Sequence, residues 1–196
     1  MKTLFFAAIL FICTITSFAQ NDNSARLYKP FKVDVAIGYA IPANSDLKGG
    51  VVFAIEPKYS VLNQLTVGVR MEGVGISNGT NYDDVNNTVK LKATGSYLAT
   101  SDYYFNNADF RPFAGLGLGI FTPSDYRITS DGNVYKDAKA GIKFGGMARG
   151  GFEYKHFRLG LEFNMVSNSY VNGYNVKNSY FSIKAGFTIG GGLIGD

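Results

Sequence analysis

The sequence predicts an all-β protein, an eight-stranded antiparallel up-and-down transmembrane β-barrel. Three observations predict this fold. Eight stretches alternate between apolar residues and polar or small ones, the N-terminal segment has the features of a secretion signal, and the connections between the stretches are short at one end and mostly longer at the other. A period of two residues is typical of a strand whose two faces lie in different environments.

The first 19 residues have the features of a cleaved signal peptide, and we expect the barrel domain over residues 20–196. A short positive start is followed by an apolar run over residues 4–14, which is too short to cross a bilayer as a helix. The small residues of Ser17-Phe18-Ala19 fit the cleavage pattern. The chain is therefore expected to be exported.

Composition excludes several classes of function. Cys13 is the only cysteine and lies in the signal segment, so the mature chain has no thiol for disulfides, zinc binding or thiol catalysis. The net charge of +4 comes without a Lys/Arg cluster or an RNA-binding motif, and no nucleic acid partner is expected. No later apolar run approaches the length of a membrane helix.

The alternation places eight strands along the mature chain. Their predicted ranges are 31–41, 50–60, 65–75, 88–101, 111–121, 140–154, 157–168 and 178–190. In the seventh strand, the odd-numbered residues from Phe157 to Met165 are bulky and apolar, whereas Arg158, Gly160 and Glu162 are charged or small. This strand therefore has one apolar face and one polar face.

The predicted connections differ in length. Those at 61–64 and 155–156 are tight and that at 101–110 is moderate, whereas those at 77–87 and 122–139 are long and polar. An even number of strands with short turns at one end and longer loops at the other is typical of bacterial outer-membrane barrels.

Alternation alone does not decide which face lies inside, but volume does. The interior of an eight-stranded barrel is just wide enough to be filled by side chains, and about four bulky residues per strand would overfill it. The opposite face leaves room for long charged side chains, because it carries Gly38, Gly68, Gly115, Gly117, Gly119, Gly145, Gly151, Gly160 and Gly186. We therefore predict that the apolar face is outside. Aromatic residues near strand ends are candidates for interfacial girdles: Tyr39, Tyr59, Tyr154, Phe157 and Phe181.

The predicted lumen contains a network of charges. Its members are Asp34, Glu56, Arg70, Glu72, Lys90, Lys92, Arg149, Glu153, Arg158, Glu162 and Lys184, and the same register adds Lys32, Lys58 and Arg111. One interpretation is that these side chains pair with one another and plug the lumen, because buried charges must be paired. The alternative is a narrow pore with anion preference, because bases outnumber acids in this set.

Four segments carry a resemblance to a known family. They are Tyr59–Arg70, Arg111–Gly119, Gly151–Glu162 and Tyr180–Gly190, and they resemble the small outer-membrane β-barrel family of the Bacteroidetes, which is similar in architecture to the OmpX, OmpW and OmpA barrels. The resemblance implies a bacterial outer-membrane protein. Many such barrels end in an aromatic residue, whereas this chain continues beyond Phe187 to Asp196.

The sequence favours a non-enzymatic, monomeric barrel that contacts outer-membrane lipid and lipopolysaccharide and serves membrane integrity or surface interaction through its loops. Loop tyrosines that could contact a partner are Tyr82, Tyr126, Tyr135, Tyr170 and Tyr174. Three alternatives stay open: a narrow channel for small anions or apolar solutes, a lipid A-modifying enzyme, and a soluble periplasmic lipocalin-like carrier.

No catalytic residue, cofactor or metal site is predicted. His156 is the only histidine and lies in a predicted two-residue turn, whereas a hydrolase or transferase would need it beside a serine or aspartate. The run Gly115-x-Gly117-x-Gly119 lies in a strand with no following helix, so it is not a nucleotide loop. The acidic and amide residues over 83–87 match no calcium-loop spacing.

Overall fold

The structure is a computed structural model, and it describes residues 26–43, 47–78, 91–123, 126–130, 133–138, 141–171 and 174–194. The predicted signal peptide, Lys90, Tyr82 and the acidic segment 83–87 lie outside the described residues. Among the described residues, no helix is long and apolar enough to cross a bilayer.

The described part of the chain contains twelve strands. They are β1 (Phe31–Pro42), β2 (Leu47–Ser60), β3 (Leu65–Asn78), β4 (Leu91–Tyr104), β5 (Phe110–Thr122), β6 (Tyr126–Ser130), β7 (Asn133–Ala138), β8 (Lys143–Tyr154), β9 (Phe157–Val166), β10 (Ser169–Val171), β11 (Tyr174–Val176) and β12 (Tyr180–Gly190).

Eight of these strands form a closed antiparallel barrel in the order β1-β12-β9-β8-β5-β4-β3-β2. Each barrel strand pairs with the barrel strand before it and the one after it, and β1 pairs with β12 to close the cylinder. At the seam, Val35 lies opposite Phe187 on one side and opposite Ile55 on the other. The predicted fold class is confirmed.

The barrel strands have the length that a bilayer requires. β1 contains 12 residues. At about 3.4 Å per residue and a tilt of about 40°, such a strand rises about 29 Å along the barrel axis. The apolar band of an outer-membrane barrel is about 25 Å tall.

The outer face of the barrel is apolar. Leu116 on β5 is 68% exposed, Phe144 on β8 65% and Phe187 on β12 64%. The five aromatic residues predicted for girdles, Tyr39, Tyr59, Tyr154, Phe157 and Phe181, all lie on this outer face near strand ends. On the inner face of the same strands, Arg70 is only 1% exposed and Lys32 2%.

Several predicted strand bounds differ from the structure, and the fourth strand differs most. It was predicted to end at residue 101 but continues to Tyr104, while residues 88–90 lie outside the described part. The moderate turn predicted over 101–110 is therefore shorter and occupies residues 105–109. The prediction was wrong because Asp102 was taken as a loop residue, whereas its side chain faces the lumen, where cations surround it.

Two further hairpins lie outside the barrel, in segments that were predicted as loops. β6 pairs with β7 between the fifth and sixth barrel strands, and β10 pairs with β11 between the seventh and eighth. These strands contain only three to six residues, which is too short for the period-two criterion to distinguish them from loop sequence. The end of the barrel at which the sequence predicts long connections therefore contains two additional hairpins.

The segments at 27–29 and 192–194 meet beside the short turns. The Lys29 amide donates to the carbonyl oxygen of Gly192 at 2.8 Å, and the Ile194 amide donates to that of Leu27 at 2.9 Å. Gly190 and Gly191 have φ of 81° and 69°, in a backbone region that residues with a side chain rarely adopt. They bend the chain at the end of β12. The segment beyond Phe187 is thus a further pairing element of the barrel.

Candidate functional site in the barrel lumen

The lumen contains thirteen buried charged side chains among the described residues. Seven are bases and six are acids: Lys32, Lys58, Arg70, Arg111, Arg149, Arg158 and Lys184, with Asp34, Glu56, Glu72, Asp102, Glu153 and Glu162. They lie on the inner face of the strands because they alternate with outward-facing apolar residues. The set is close to neutral, so the excess of bases that the sequence indicated is reduced to one in the described part.

Most residues of the predicted charge network lie in this lumen. Asp34, Glu56, Arg70, Glu72, Arg149, Glu153, Arg158, Glu162 and Lys184 are all buried there. Lys90 lies outside the described residues. Lys92 lies in β4 opposite Ile76, and its side chain is not described. The role of the network in function stays a prediction.

Asp102 is the centre of the network, and sequence analysis missed it. One carboxylate oxygen accepts hydrogen bonds from Lys58 Nζ at 2.7 Å and from Arg158 Nη2 at 2.8 Å. Arg149 donates to both oxygens, from Nε at 2.7 Å and from Nη2 at 2.9 Å. Asp102 could have been predicted from the sequence, because every second residue from Ser96 through Thr100 faces inward and Asp102 is the next residue in that series.

Arg149 joins Asp102 to a second carboxylate. Its Nη1 and Nη2 each donate to Glu56 at 2.7 Å, in a bidentate arrangement. Thr100 Oγ1 also donates to Glu56, at 2.5 Å. Bidentate guanidinium–carboxylate pairs are among the stronger hydrogen-bonded pairs in proteins. Since β2, β4 and β8 each supply one partner, the arrangement ties three strands together across the lumen.

A second cluster lies nearer the loop end of the barrel. Lys184 Nζ lies 2.5 Å from Glu162 Oε2 and also donates to Glu72, while Arg70 donates to Glu162. The Tyr180 hydroxyl donates to Glu72 at 2.6 Å. This cluster is linked to the first by Arg149, whose Nη1 lies 3.7 Å from Glu162 Oε1.

A third group lies near the short turns. Lys32 Nζ donates to the Tyr104 hydroxyl at 2.7 Å and to Glu153 Oε2 at 2.8 Å. The Tyr104 hydroxyl donates to the same oxygen of Glu153 at 2.7 Å and accepts from Arg158 Nη1 at 2.8 Å. Glu153 is therefore neutralised from several sides.

An apolar ring closes the lumen at the loop end. Each of the eight barrel strands contributes one buried residue: Ala40, Val52, Val74, Leu98, Phe121, Met147, Val166 and Tyr180. The rings of Phe121 and Tyr180 pack edge to face with centroids 6.5 Å apart. Sequence analysis did not identify this ring, because it expected glycines, charges and small polar groups on the inner face.

Little free space is left between the charged side chains. A cavity of about 30 Å³ lies between Asp34, Glu56, Arg70, Arg149, Arg158 and their neighbours. This volume corresponds to about one water molecule. The glycines make the packing possible: a Cβ on Gly115 would overlap the Asp102 carboxylate and lie 3.1 Å from Arg149 Nε.

His156 lies at the short-turn end, as the sequence predicted. Its Nδ1 donates to the carbonyl oxygen of Thr188 at 2.8 Å, so the hydrogen-bond partner is a backbone group rather than a serine or aspartate side chain. In the described part of the chain, no group of three or more His, Cys, Asp or Glu residues is arranged to hold a metal ion.

The fold and the lumen together define a class, the eight-stranded closed β-barrel with an ionic interior and an apolar exterior. Among solved structures, the chain is similar to Neisserial surface protein A, with a TM-score of 0.60 and 16% identity over 83% of this chain and 98% of that one. It is also similar to the outer membrane protein OprG from Pseudomonas aeruginosa, with a TM-score of 0.52 and 12% identity over 84% of this chain and 98% of that one.

No protein-family description and no curated protein matches the chain. At these identities, the two structural similarities show the fold. The assignment to the Bacteroidetes barrel family stays a prediction.

Proposed function

We propose that this chain is an integral β-barrel protein of a bacterial outer membrane, non-enzymatic and monomeric, whose lumen is closed by its own side chains. The observation that carries the proposal is the inversion of polarity. Apolar side chains such as Leu116, Leu118 and Phe187 surround the outside, and thirteen charged side chains of the described residues are buried inside.

Physical chemistry supports a lipid environment for such a surface. Monomeric soluble proteins rarely expose a contiguous apolar patch larger than about 600 Å². Here the exposed apolar residues occur on all eight barrel strands, from Phe31 on β1 to Phe187 on β12. Hydrocarbon lipid would remove this belt from water, at roughly 25 cal/mol for each Å² of apolar surface.

The proposed role is that of a rigid scaffold in the membrane, serving membrane integrity or surface interaction. The two hairpins β6–β7 and β10–β11 extend from the same end of the barrel, opposite the short turns. In outer-membrane barrels the short turns face the periplasm and the longer connections face outside. Loops on a rigid scaffold commonly carry recognition. Outer-membrane lipid and lipopolysaccharide are the proposed surroundings of the barrel.

Tryptophan fluorescence tests the placement in lipid, because the chain contains no Trp. We expect a Leu118→Trp variant to be strongly quenched by lipids that carry bromine on their acyl chains, since Leu118 is 62% exposed on the outer face. A Phe113→Trp variant is the matched control, because Phe113 is buried in the lumen. We expect brominated lipids to leave its fluorescence nearly unchanged.

The two variants must behave differently for the proposal to hold. Equal quenching at both positions, or recovery of the wild-type chain as a folded protein without detergent or lipid, would contradict the membrane placement. The test uses the refolded barrel in vesicles, and a heat-dependent shift of its migration on a gel verifies folding in each sample.

The packing of the lumen argues against the alternative that the barrel is a channel. The paired charges leave a cavity of only about 30 Å³, and the apolar ring closes the loop end. We therefore expect no single-channel conductance above the lipid baseline when the wild-type barrel is placed in a planar bilayer. A porin of known conductance, placed in the same bilayer, is the positive control. Regular conductance steps from the wild type would show that the lumen opens.

The remaining two alternatives have weaker support. A lipid A-modifying enzyme needs a histidine with a catalytic partner near the outer leaflet, whereas His156 lies at the short-turn end and bonds to a backbone carbonyl. A soluble carrier needs an apolar interior and a polar exterior, which is the opposite of the distribution in this barrel.

A further inference from the structure

A polar pocket lies at the short-turn end of the barrel. Its volume is about 350 Å³, and it is bordered by the turn residues Lys155 and His156, by the lumen residue Arg111, and by the glycines at 190–192 after β12. Ligand sites commonly have volumes of about 300–1,000 Å³, so this pocket has room for a small molecule.

Arg111 is the buried cation with the weakest ionic partner in the described lumen. The described lumen contains seven bases and six acids, and the buried carboxylate closest to Arg111 is Glu153, whose Oε1 lies 3.7 Å from Nη1. Glu153 already accepts hydrogen bonds through its other oxygen from Lys32 and Tyr104. Buried charges are normally paired and hydrogen-bonded, so the excess positive charge of the lumen lies at this mouth.

The surroundings of Arg111 restrict how a partner can approach it. The rings of Tyr28 and Tyr104 each lie 4.1 Å from its Cζ, and two rings at that distance cannot share one face of the guanidinium. Nη2 donates to the carbonyl oxygen of Asn63 at 2.8 Å. Among the described residues, Nε has no hydrogen-bond partner, but it is itself fully buried, which leaves Nη1 as the nitrogen available to a ligand. A ligand must therefore approach the edge of the guanidinium, in its plane.

We propose that this pocket binds a small molecule through a carboxylate group, with Arg111 as the principal contact and Lys155 as a second cation at the rim. A planar carboxylate fits the edge of a guanidinium. Lys155 and Asp109 are both exposed at the rim and lie side by side, since the Lys155 amide donates to the carbonyl oxygen of Asp109 at 3.2 Å. Water screens both of these charges, so Arg111 dominates the contact. The orientation of the pocket toward the periplasm rests on the proposed function, but the binding itself does not.

A titration followed by backbone amide chemical shifts tests the site. The probe is N-acetylalanine, added to the isotope-labelled full barrel in detergent micelles. We expect saturable shifts at Gly191, Gly192 and His156, with a dissociation constant on the order of 1 mM. The amide of N-acetylalanine, which has no charge, is the matched ligand control and should cause no saturable shift.

Variants assign the contacts. Arg111→Gln should weaken binding by about tenfold or more, because a charge-assisted bond is lost. Should that variant fail to fold, Lys155→Gln decides, since Lys155 is exposed and its loss should weaken binding about two- to threefold. Lys177→Gln is the control, because this exposed lysine lies at the loop end, just before β12; it should bind like the wild type.

Each other outcome overturns the proposal. These outcomes are no saturable shift, equal binding of the uncharged amide, or tighter binding of inorganic phosphate, which would point to a tetrahedral anion instead. The titration does not require a bilayer, so its failure overturns the site alone, whereas failure of the bromine-quenching experiment overturns the membrane placement alone.

Discussion

Replacing Asp102 by asparagine is expected to destabilise the barrel by about 3–5 kcal/mol, the usual cost of removing one member of a buried ion pair. The Asp102 side chain is fully buried and accepts hydrogen bonds from Lys58, Arg149 and Arg158. Asparagine has nearly the same size but no charge, so three cations lose their common partner. The measurement is the denaturant midpoint of unfolding from lipid vesicles.

An exposed aspartate provides the control for this variant. Asp109 lies in the turn at 105–109, and its substitution by asparagine should change stability by less than about 0.5 kcal/mol. A double variant tests the physical reason. Lys58→Met should cost less in the Asp102→Asn background than in the wild type, because the contact between Lys58 and Asp102 is already absent there, whereas the bond from Lys58 to Asp34 at 2.5 Å is lost in both backgrounds. An Asp102→Asn protein that unfolds at the wild-type midpoint would show that the network contributes little to stability.

The second large effect is expected from a single methyl group at Gly151. A Cβ there would overlap the carbonyl oxygen of Leu159 and lie 2.8 Å from the Cα of Gly160, both on the paired strand β9. Because these are backbone atoms, relief requires the strands to move apart. We expect Gly151→Ala to cost about 3 kcal/mol, at the upper end of the range for overpacking. The same unfolding measurement applies.

The neighbouring glycine is the matched control. Gly150 lies on the outward face of the same strand, and a Cβ there would have its nearest contact at 3.7 Å, with the carbonyl oxygen of Phe113. Gly150→Ala should therefore be close to neutral. Equal stability of the two alanine variants would contradict this explanation, which is that the close approach of the strands at the inner face requires glycine at position 151.

These two predictions concern the same design problem. A narrow barrel that buries thirteen charged side chains in its described part must pair their charges and must also fit their volume. Asp102 represents the first requirement, because it is the acid that three bases share. Gly115 represents the second, since a Cβ there would overlap that same carboxylate. Both requirements are met in the described part of the lumen, where the charges are paired and glycines leave room for them.

Much of the fold could be predicted from the local pattern. The period of two along residues 157–166 separates Leu161 and Phe163 from Arg158 and Glu162, and the structure places the first pair outside and the second inside. The hairpin β10–β11 could also have been found, because Asn172-Gly173 lies between its strands and this dipeptide is a strong hairpin signal. The same holds for Asp131-Gly132 between β6 and β7.

The amino-acid pattern indicates the number of barrel strands, the face that each one turns inward and the glycines that leave room there, because these properties depend on neighbours along one strand. The three-dimensional packing sets which acid meets which base, how one residue from every barrel strand forms the apolar ring, and the pairing of the tail with residues 27–29. Those contacts join residues far apart in the chain. Arg149 and Glu56, for instance, are 93 positions apart. Their geometry depends on how the closed barrel sets the stagger between strands.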